Sequence, residues 1–325
     1  MTRPPSFEAS AATHHAAAIG KRRKFIAGSG ALLIAGLLAA CGTTSGLAPT
    51  EAATPQPAPT RIYWVNNGIH KHAALRATAH SIGVADLDGK NVNQRLVDGI
   101  AYPNGLTAHG EYLYWTDTFD NAIGRSKLDG TDVQKKFITE GAAFPVGISV
   151  QGRYIYFANN GTFAISRARL DGSKVDKEFI NVGGAPGMPN GLATDANYIY
   201  WSTLTNTIAR AKLDGTGMNL KFITDTGVQS ETVLSPLPYG LVVSGQYIYW
   251  ANQADGAVGR AKLDGTEANK LFIQGADFPG GVAVDDQYIY WANNNDTIGR
   301  AKLDGTEVNQ KFITGANAPA GLALR

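Results

Sequence analysis

The stretch Tyr288–Glu307, YIYWANNNDTIGRAKLDGTE, returns several times along this chain of 325 residues. Related copies stand at Tyr247–Glu267, Tyr198–Gly217 and, with more changes, Tyr112–Thr131. In each copy the aromatic segment alternates as a strand does, and the Asp-Gly pair is typical of a tight hairpin turn. The recurrence predicts a fold that is built from repeated small sheets.

Three independent markers each occur six times. The LDG tripeptide has its aspartate at Asp88, Asp129, Asp171, Asp214, Asp264 and Asp304, at intervals of 41, 42, 43, 50 and 40 residues. An aromatic pair precedes each LDG, and a proline followed two residues later by glycine comes at Pro103, Pro145, Pro189, Pro238, Pro279 and Pro319. A spacing of about 40–45 residues is typical of four-stranded propeller blades.

The sequence therefore predicts an all-β, six-bladed β-propeller over residues 61–325. The last repeat supplies only an innermost strand, Gly321–Arg325, and the first repeat, from Ile62, lacks one. Pairing these two segments would close the ring and hide its sheet edges. We expect the small residues Gly299 and Ala301 to let a neighbouring blade approach, and the arginines of the IGR segments to join adjacent blades.

YWTD at Tyr114–Asp117, IGRSKLDG after it and the later PVGISV resemble the YWTD, or class B, repeat of the low-density lipoprotein receptor family. The resemblance covers residues 62–325 and implies a six-bladed propeller. The chain departs from the pattern: only one copy ends in Asp, and Val84 stands where the other blades have arginine. The cysteine-rich neighbours of the receptor are absent. The resemblance therefore implies architecture and says little about partners.

Residues 1–40 have the pattern of an export signal, with a basic head, Lys21–Lys24, followed by an apolar run, Phe25–Ala40. LLAAC resembles the bacterial lipobox, which predicts lipid attachment at Cys41 and a membrane partner through that lipid. Residues 41–60, rich in Pro, Ala and Thr, read as a flexible tether. We expect an exported, lipid-anchored protein of the cell envelope, on its periplasmic or extracellular face. An ordinary secretory signal or an uncleaved anchor is the alternative.

The route of export stays open. RRKFI resembles the twin-arginine signal, but Lys21 stands where Ser or Thr is usual, so Sec export fits as well. The net charge is +2, and residues 1–40 hold five basic residues against one acidic residue, which leaves the rest faintly acidic. That body predicts no nucleic-acid partner. The single cysteine excludes a disulfide framework, and we expect a monomeric domain.

A ligand-binding face is expected around the channel mouth, on the loops that enter the innermost strands and those that join strands two and three. Its predicted residues are Asn104, Phe119, Asp120, Asn160, Phe163, Asn190, Tyr239, Asn252 and Asn294. Aromatic rings supply contact area and amides supply hydrogen bonds, so the face suits a protein, peptide or glycan. The alternative is that each asparagine only caps a loop or ties blades together. Phe119, Phe163 and Tyr239 break the repeat and are the better candidates.

Two insertions open onto the same face, at Gly68–Ser81 and Thr224–Pro236. The first brings His70, His72 and His80, without a cysteine or paired carboxylates, so solvated histidines are expected rather than a metal site. The axial positions carry no acid and no histidine, and no hydrolase or phosphate-loop motif is present. We predict a non-catalytic binding or scaffolding module without a cofactor. A propeller enzyme of the lyase or lactonase type and a purely structural envelope lipoprotein are the alternatives.

Overall fold

The computed structural model describes residues 59–68, 80–227 and 238–325. Within these ranges it contains 24 β-strands, arranged as six antiparallel sheets of four strands, and one turn of 3-10 helix at Ala185–Gly187. In the described part of the chain, no helix has the length and apolar character needed to cross a membrane. The predicted signal, the tether up to residue 58, Cys41, His70 and His72 lie outside the described residues, as does most of both insertions.

The strands follow the repeat blade by blade. Blades one to three consist of β1 (Arg61–Asn66), β2 (Ser81–Asp86) and β3 (Asn93–Asp98); β4 (Pro103–His109), β5 (Tyr112–Asp117), β6 (Ala122–Lys127) and β7 (Gln134–Ile138); and β8 (Pro145–Gln151), β9 (Tyr154–Asn159), β10 (Ala164–Arg169) and β11 (Asp176–Asn181). Blades four to six consist of β12 (Leu192–Thr194), β13 (Tyr198–Ser202), β14 (Ile208–Lys212) and β15 (Asn219–Ile223); β16 (Pro238–Ser244), β17 (Tyr247–Asn252), β18 (Ala257–Lys262) and β19 (Asn269–Gln274); and β20 (Val282–Val284), β21 (Tyr288–Asn293), β22 (Thr297–Lys302) and β23 (Asn309–Thr314). The last strand, β24 (Pro319–Leu324), completes blade one.

The ring is closed as the sequence predicts. β24 pairs antiparallel with β1, with Ile62 opposite Leu324, and the first blade has the order β24-β1-β2-β3. The innermost strands contact one another in the order β4, β8, β12, β16, β20 and β24, and β24 contacts β4 again. The six-bladed, all-β propeller is therefore confirmed.

The Pro-x-Gly marker lies where adjacent innermost strands come closest. A Cβ on Gly191 would stand 1.7 Å from the Tyr239 carbonyl oxygen, and one on Gly105 would stand 2.4 Å from the Val146 carbonyl oxygen. Equivalent backbone contacts surround Gly147, Gly240, Gly281 and Gly321. Only glycine leaves room for this approach, so the marker exists because six strand ends must meet around a narrow axis.

The core lies between blades, and the aromatic pair fills it. Trp115 is fully buried and packs with Tyr63 and Val65 of the preceding blade. The glycine of the IGR segments serves the same blade rather than a neighbour, because a Cβ on Gly299 would stand 2.2 Å from the Trp291 ring. The expectation that Gly299 is small to let a neighbouring blade approach was therefore wrong, because it makes room for Trp291 of its own blade. Ala301 does pack against blade five, in one cluster with Tyr249 and Val258.

Three of the five repeated arginines join blades, as expected, whereas Arg167 pairs with Asp176 of its own blade. Arg260 Nη1 donates to the Leu303 carbonyl of the next blade at 3.2 Å, and its guanidinium lies 3.8 Å from the Phe272 ring centroid. Arg210 and Arg300 make the same bond to the next blade, and the Arg300 bond crosses the closure from blade six to blade one. The hairpin glycines of LDG have positive φ and pack against the preceding blade, as Gly305 does on Phe272.

Candidate functional site

One face of the propeller carries the loops that the sequence predicts to be functional. We call it the loop face. The loops that lead into the innermost strands comprise residues 99–102, 139–144, 182–191, 275–281 and 315–318. The loops that join the second and third strands comprise residues 118–121, 160–163, 203–207, 253–256 and 294–296. Backbone hydrogen bonds hold the two sets of loops together, for example from Thr118 to Tyr102 at 3.0 Å and from Asn294 to Asp277 at 2.8 Å. The hairpin turns lie at the other end of the strands, on what we call the turn face.

The channel mouth on the loop face is bridged by two predicted site residues. The Tyr239 hydroxyl donates to Asn104 Oδ1 at 2.7 Å, which joins blade five to blade two. Burial raises the pKa of Tyr239 to about 12, so its hydroxyl keeps its proton throughout the neutral range. Below the bridge lies a cavity of about 50 Å³, lined by Asn104, Val146, Asn190 and Tyr239 and by apolar residues of the innermost strands. That volume suits one or two waters rather than a substrate.

A wider cavity of about 220 Å³ opens at the turn-face end of the channel. Its wall includes Thr107, Ser149 and Thr194, and the last two join their hydroxyls at 2.8 Å. His109 ends the innermost strand β4 nearby, where burial and the charge of Arg325 lower the pKa of its imidazole. The channel is thus divided, with the bridged mouth at one end and a wider opening at the other.

The asparagine or aspartate two positions after the aromatic pair is architectural. Asp117 accepts the backbone N–H groups of Ala101 and Tyr102, at 2.9 and 3.0 Å, from the loop that leads into β4. Asn159 and Asn293 Oδ1 accept one N–H each from the equivalent loops, both at 3.0 Å. The residue at the fourth position of YWTD therefore joins the second strand of a blade to the loop that leads into its innermost strand by accepting backbone hydrogen bonds. Asn serves as well as Asp because one acceptor oxygen suffices.

Phe119 lies exposed at the edge of the loop face. Its side chain is 65% exposed, yet it is stacked on Tyr102 with ring centroids 4.4 Å apart and an angle of 24° between the planes. The His80 ring meets Tyr102 edge-on, with centroids 5.8 Å apart. A large apolar side chain that is exposed and still held in place is a recognised feature of interaction sites.

Two further phenylalanines share this exposure. Phe144 and Phe278 are 53% and 40% exposed, and each stands directly before the proline of a Pro-x-Gly marker. Their φ angles of 49° and 48° lie in the left-handed region, which bulky residues rarely adopt. Ala318 occupies the same position of blade one with φ 44°, so the conformation does not require an aromatic ring, and Met188 of blade four has φ −47° at that position. An aromatic residue kept in a strained conformation points to a role outside folding.

The remaining predicted residues divide between packing and surface. Asp120 pairs with Lys136, with Oδ2 and Nζ 3.3 Å apart, and Asn252 Nδ2 donates to Asp255 Oδ2 at 2.5 Å. Phe163 is partly buried against the core between blades three and four. Asn190 lies in the channel wall. Asn160 lies in a loop beside Phe144, and Asn294 lies in a loop beside Asp277. Six of the nine predicted residues thus lie in the loop face, and Asn104, Tyr239 and Asn252 lie at the strand ends that border it. Their part in ligand binding stays a prediction.

Sequence reasoning missed Tyr102, Phe144 and Phe278. The signal was present, since each is the aromatic residue immediately before a proline that the repeat count had already marked. In the described residues, no group of three or more His, Cys, Asp or Glu side chains is placed to hold a metal ion. His80, the one described histidine of the first insertion, instead approaches the Ala101 carbonyl, with Nδ1 at 2.5 Å from the oxygen.

No protein-family model and no curated protein matches the chain. Solved structures share the fold: a chain of a nidogen/laminin complex superposes with a TM-score of 0.65 at 18% identity, over 82% of this chain and 98% of that chain. Virginiamycin B lyase from Staphylococcus aureus gives a TM-score of 0.54 at 19% identity, over 76% of this chain and 81% of that chain. A catalytically inactive variant of that lyase with quinupristin gives 0.53 at 18%, over 82% and 89%. These similarities support the YWTD-type propeller fold, and at such identities they show the fold alone.

Proposed function

We propose that this protein is a non-catalytic binding module of the cell envelope that recognises a protein, peptide or glycan through the loop face. The observation that carries the proposal is the set of exposed aromatic side chains, Phe119, Phe144 and Phe278, on one face of a rigid ring. Architecture does not require Phe144 and Phe278, because alanine serves at the equivalent position of blade one, and Phe119 stands at a position that breaks the repeat. Exposed aromatic residues on a rigid scaffold supply contact area at little entropic cost.

The geometry of the mouth favours binding over acid–base catalysis. The axial positions hold Asn104, Val146, Asn190, Tyr239, Gly280 and Ala320, which offer neither a carboxylate nor an imidazole. Tyr239 is engaged with Asn104, and a pKa of about 12 makes its hydroxyl a poor proton donor or acceptor near neutral pH. The lyase similarity is one of fold, so an enzyme of that kind remains only the alternative function.

The N-terminal sequence pattern also predicts where in the cell the protein acts. We propose that Cys41 carries the lipid, that residues 42–60 act as a tether and that the domain works as a monomer on the periplasmic or extracellular face of the cell envelope. The support is the sequence alone: a basic head, a short apolar run and LLAAC. Cys41→Ala should move the protein from the membrane fraction to the soluble fraction of the cell. Continued sedimentation with membranes would argue against lipidation.

A pull-down from envelope extract tests the binding face. The test variant is Phe119→Ala/Phe144→Ala/Phe278→Ala, and the control is Val133→Ala/Met218→Ala/Val308→Ala, which removes apolar residues of 40%, 44% and 45% exposure from the turn face. We expect the first variant to lose a partner that the wild type and the control retain. Equal recovery of every partner by all three proteins would remove the support for the loop face. Turnover of a captured molecule by the wild type would favour the enzyme.

A further inference from the structure

We propose that Phe119 and Tyr102, with Asn67 and His80 beside them, form a subsite for one pyranose ring of a neutral glycan. This inference rests on the proposed function and narrows its ligand class to carbohydrate. We call these four residues the aromatic platform. They come from four segments at the junction of blades one and two: the end of β1, the start of β2, the loop before β4 and the loop after β5.

The platform is preorganised. Phe119 would be free to rotate in solvent, but it stacks on Tyr102 at a centroid distance of 4.4 Å. Tyr102 is itself fixed, because its N–H donates to Asp117 Oδ1 at 3.0 Å and its ring contacts the His80 ring as well as Phe119. A ring that is held before the ligand arrives loses little conformational entropy on binding.

The polar atoms around the rings lack donors. Asn67 is only 6% exposed, and its Oδ1 is buried without a hydrogen-bond partner. His80 Nδ1 lies 2.5 Å from the Ala101 carbonyl oxygen, which can only accept, so Nδ1 carries the proton and Nε2 of the neutral ring is an acceptor. An unsatisfied buried acceptor costs about 1–3 kcal/mol. Because Asn67 Oδ1 is shielded from solvent, a ligand hydroxyl would recover that cost when the Asn67 side chain turns outward on binding.

Charge and shape select a neutral sugar over a charged ligand or a peptide anchor. Asp117 is occupied by backbone N–H groups, and Asp120 is paired with Lys136 at 3.3 Å, so the charges beside the rings are already compensated. Peptide anchors bind by filling pockets, whereas Phe119, at 65% exposure, protrudes from the surface. A protruding flat ring offers its face to the apolar C–H face of a pyranose, and nearby acceptors suit the hydroxyls at its edge.

The test measures binding of neutral hexasaccharides to the full chain by isothermal titration calorimetry. The probes are the β1,4-linked hexamers of glucose, N-acetylglucosamine and mannose and the α1,4-linked hexamer of glucose. At least one should bind, and Phe119→Ala should weaken it about tenfold, the value of one well-formed aromatic contact. Phe119→Tyr should stay within about twofold of the wild type because it keeps the ring. Val308→Ala on the turn face should have no effect, and thermal unfolding should show that all variants fold.

The outcomes separate this inference from the proposed function. If no hexasaccharide binds up to about 10 mM, where even a millimolar site would be filled, the glycan inference is wrong. Sugar binding that is equal in the wild type and Phe119→Ala would also overturn it. If sugars fail while the envelope partner still depends on the three phenylalanines, the proposed function stands and the ligand is a protein or peptide. If neither sugar binding depends on Phe119 nor partner capture depends on the three phenylalanines, both proposals are wrong.

Discussion

At the scale of the residue, each repeated marker solves a local packing problem. The glycine of Pro-x-Gly lets neighbouring innermost strands touch, and the glycine of IGR makes room for the tryptophan of the same blade. Such requirements are strict, so the first glycine recurs in all six blades and the second in four of them. The functional residues are less constrained. The bridge between Tyr239 and Asn104 joins positions 135 residues apart, and no periodic pattern links them.

Gly191→Ala tests the closest approach around the axis. The new Cβ would stand 1.7 Å from the Tyr239 carbonyl oxygen, so two blades would have to separate. We expect the free energy of unfolding to fall by about 3 kcal/mol or more, measured by urea denaturation. Gly110→Asn is the control, because Gly110 has φ 59° and nothing within 4 Å of its would-be Cβ. A loss at Gly191 no larger than that at Gly110 would contradict the contact.

Phe278→Asn tests whether an exposed phenylalanine serves folding. Asn tolerates the left-handed conformation better than a bulky residue does, and Phe278 is 40% exposed. The free energy of unfolding should therefore stay unchanged or rise by up to about 1 kcal/mol. Phe312→Asn, at a ring that packs on Gly89 and Arg300, should instead lose about 3 kcal/mol. Equal losses at both positions would mean that Phe278 is a folding residue.

At the scale of the element, blade one shows how a departure from the repeat is compensated. Val84 replaces the arginine that in blades four to six reaches the next blade, and in its place the Tyr63 hydroxyl donates to the Leu128 carbonyl at 3.3 Å. The strands themselves were predictable, since alternation and turn residues fix them. The compensation was not, because it depends on which side chain happens to reach a carbonyl of another sheet.

Two buried tyrosines in the second strands of their blades also predict that the stability of the fold decreases at alkaline pH. Burial, followed by hydrogen bonds to Asp195 and Asp285, raises the pKa of Tyr200 and Tyr290 above the ordinary value of 10.0. A raised pKa in the folded state gives stability that is complete below the unfolded value and is lost as pH rises through the folded value. The free energy of unfolding should therefore fall above about pH 10. Urea denaturation measures it, and Tyr200→Phe/Tyr290→Phe should make the fall shallower.

Absorbance of tyrosinate provides the complementary measurement. In the native protein these two hydroxyls should ionise only as the fold is lost, since their partners are carboxylates at 2.9 Å in both cases. Ionisation of all tyrosines near pH 10 with the fold intact would contradict the burial of the second strands.

At the scale of the whole molecule, closure by β24 holds the ring together. Thr60 N donates to the Arg325 carbonyl at 2.9 Å, so the two ends of the described domain lie side by side. Deleting residues 319–325 should abolish cooperative thermal unfolding and produce oligomers, because it exposes the edge of β1. A circular permutant that joins Arg325 to Thr60 and opens between Gly110 and Glu111 keeps every strand and should remain a folded monomer. A stable monomer after the deletion would contradict closure.

The central claim is that the loop face binds a ligand, and hydrogen–deuterium exchange with and without the captured partner tests it most directly. We predict slower amide exchange in residues 99–104, 117–121, 139–145 and 275–281, which carry or flank the exposed aromatic side chains of the loop face. The hairpin turns at 128–133, 213–218 and 303–308 on the turn face should exchange at an unchanged rate. Protection confined to the turn face, with the loop face unaffected, would contradict the account.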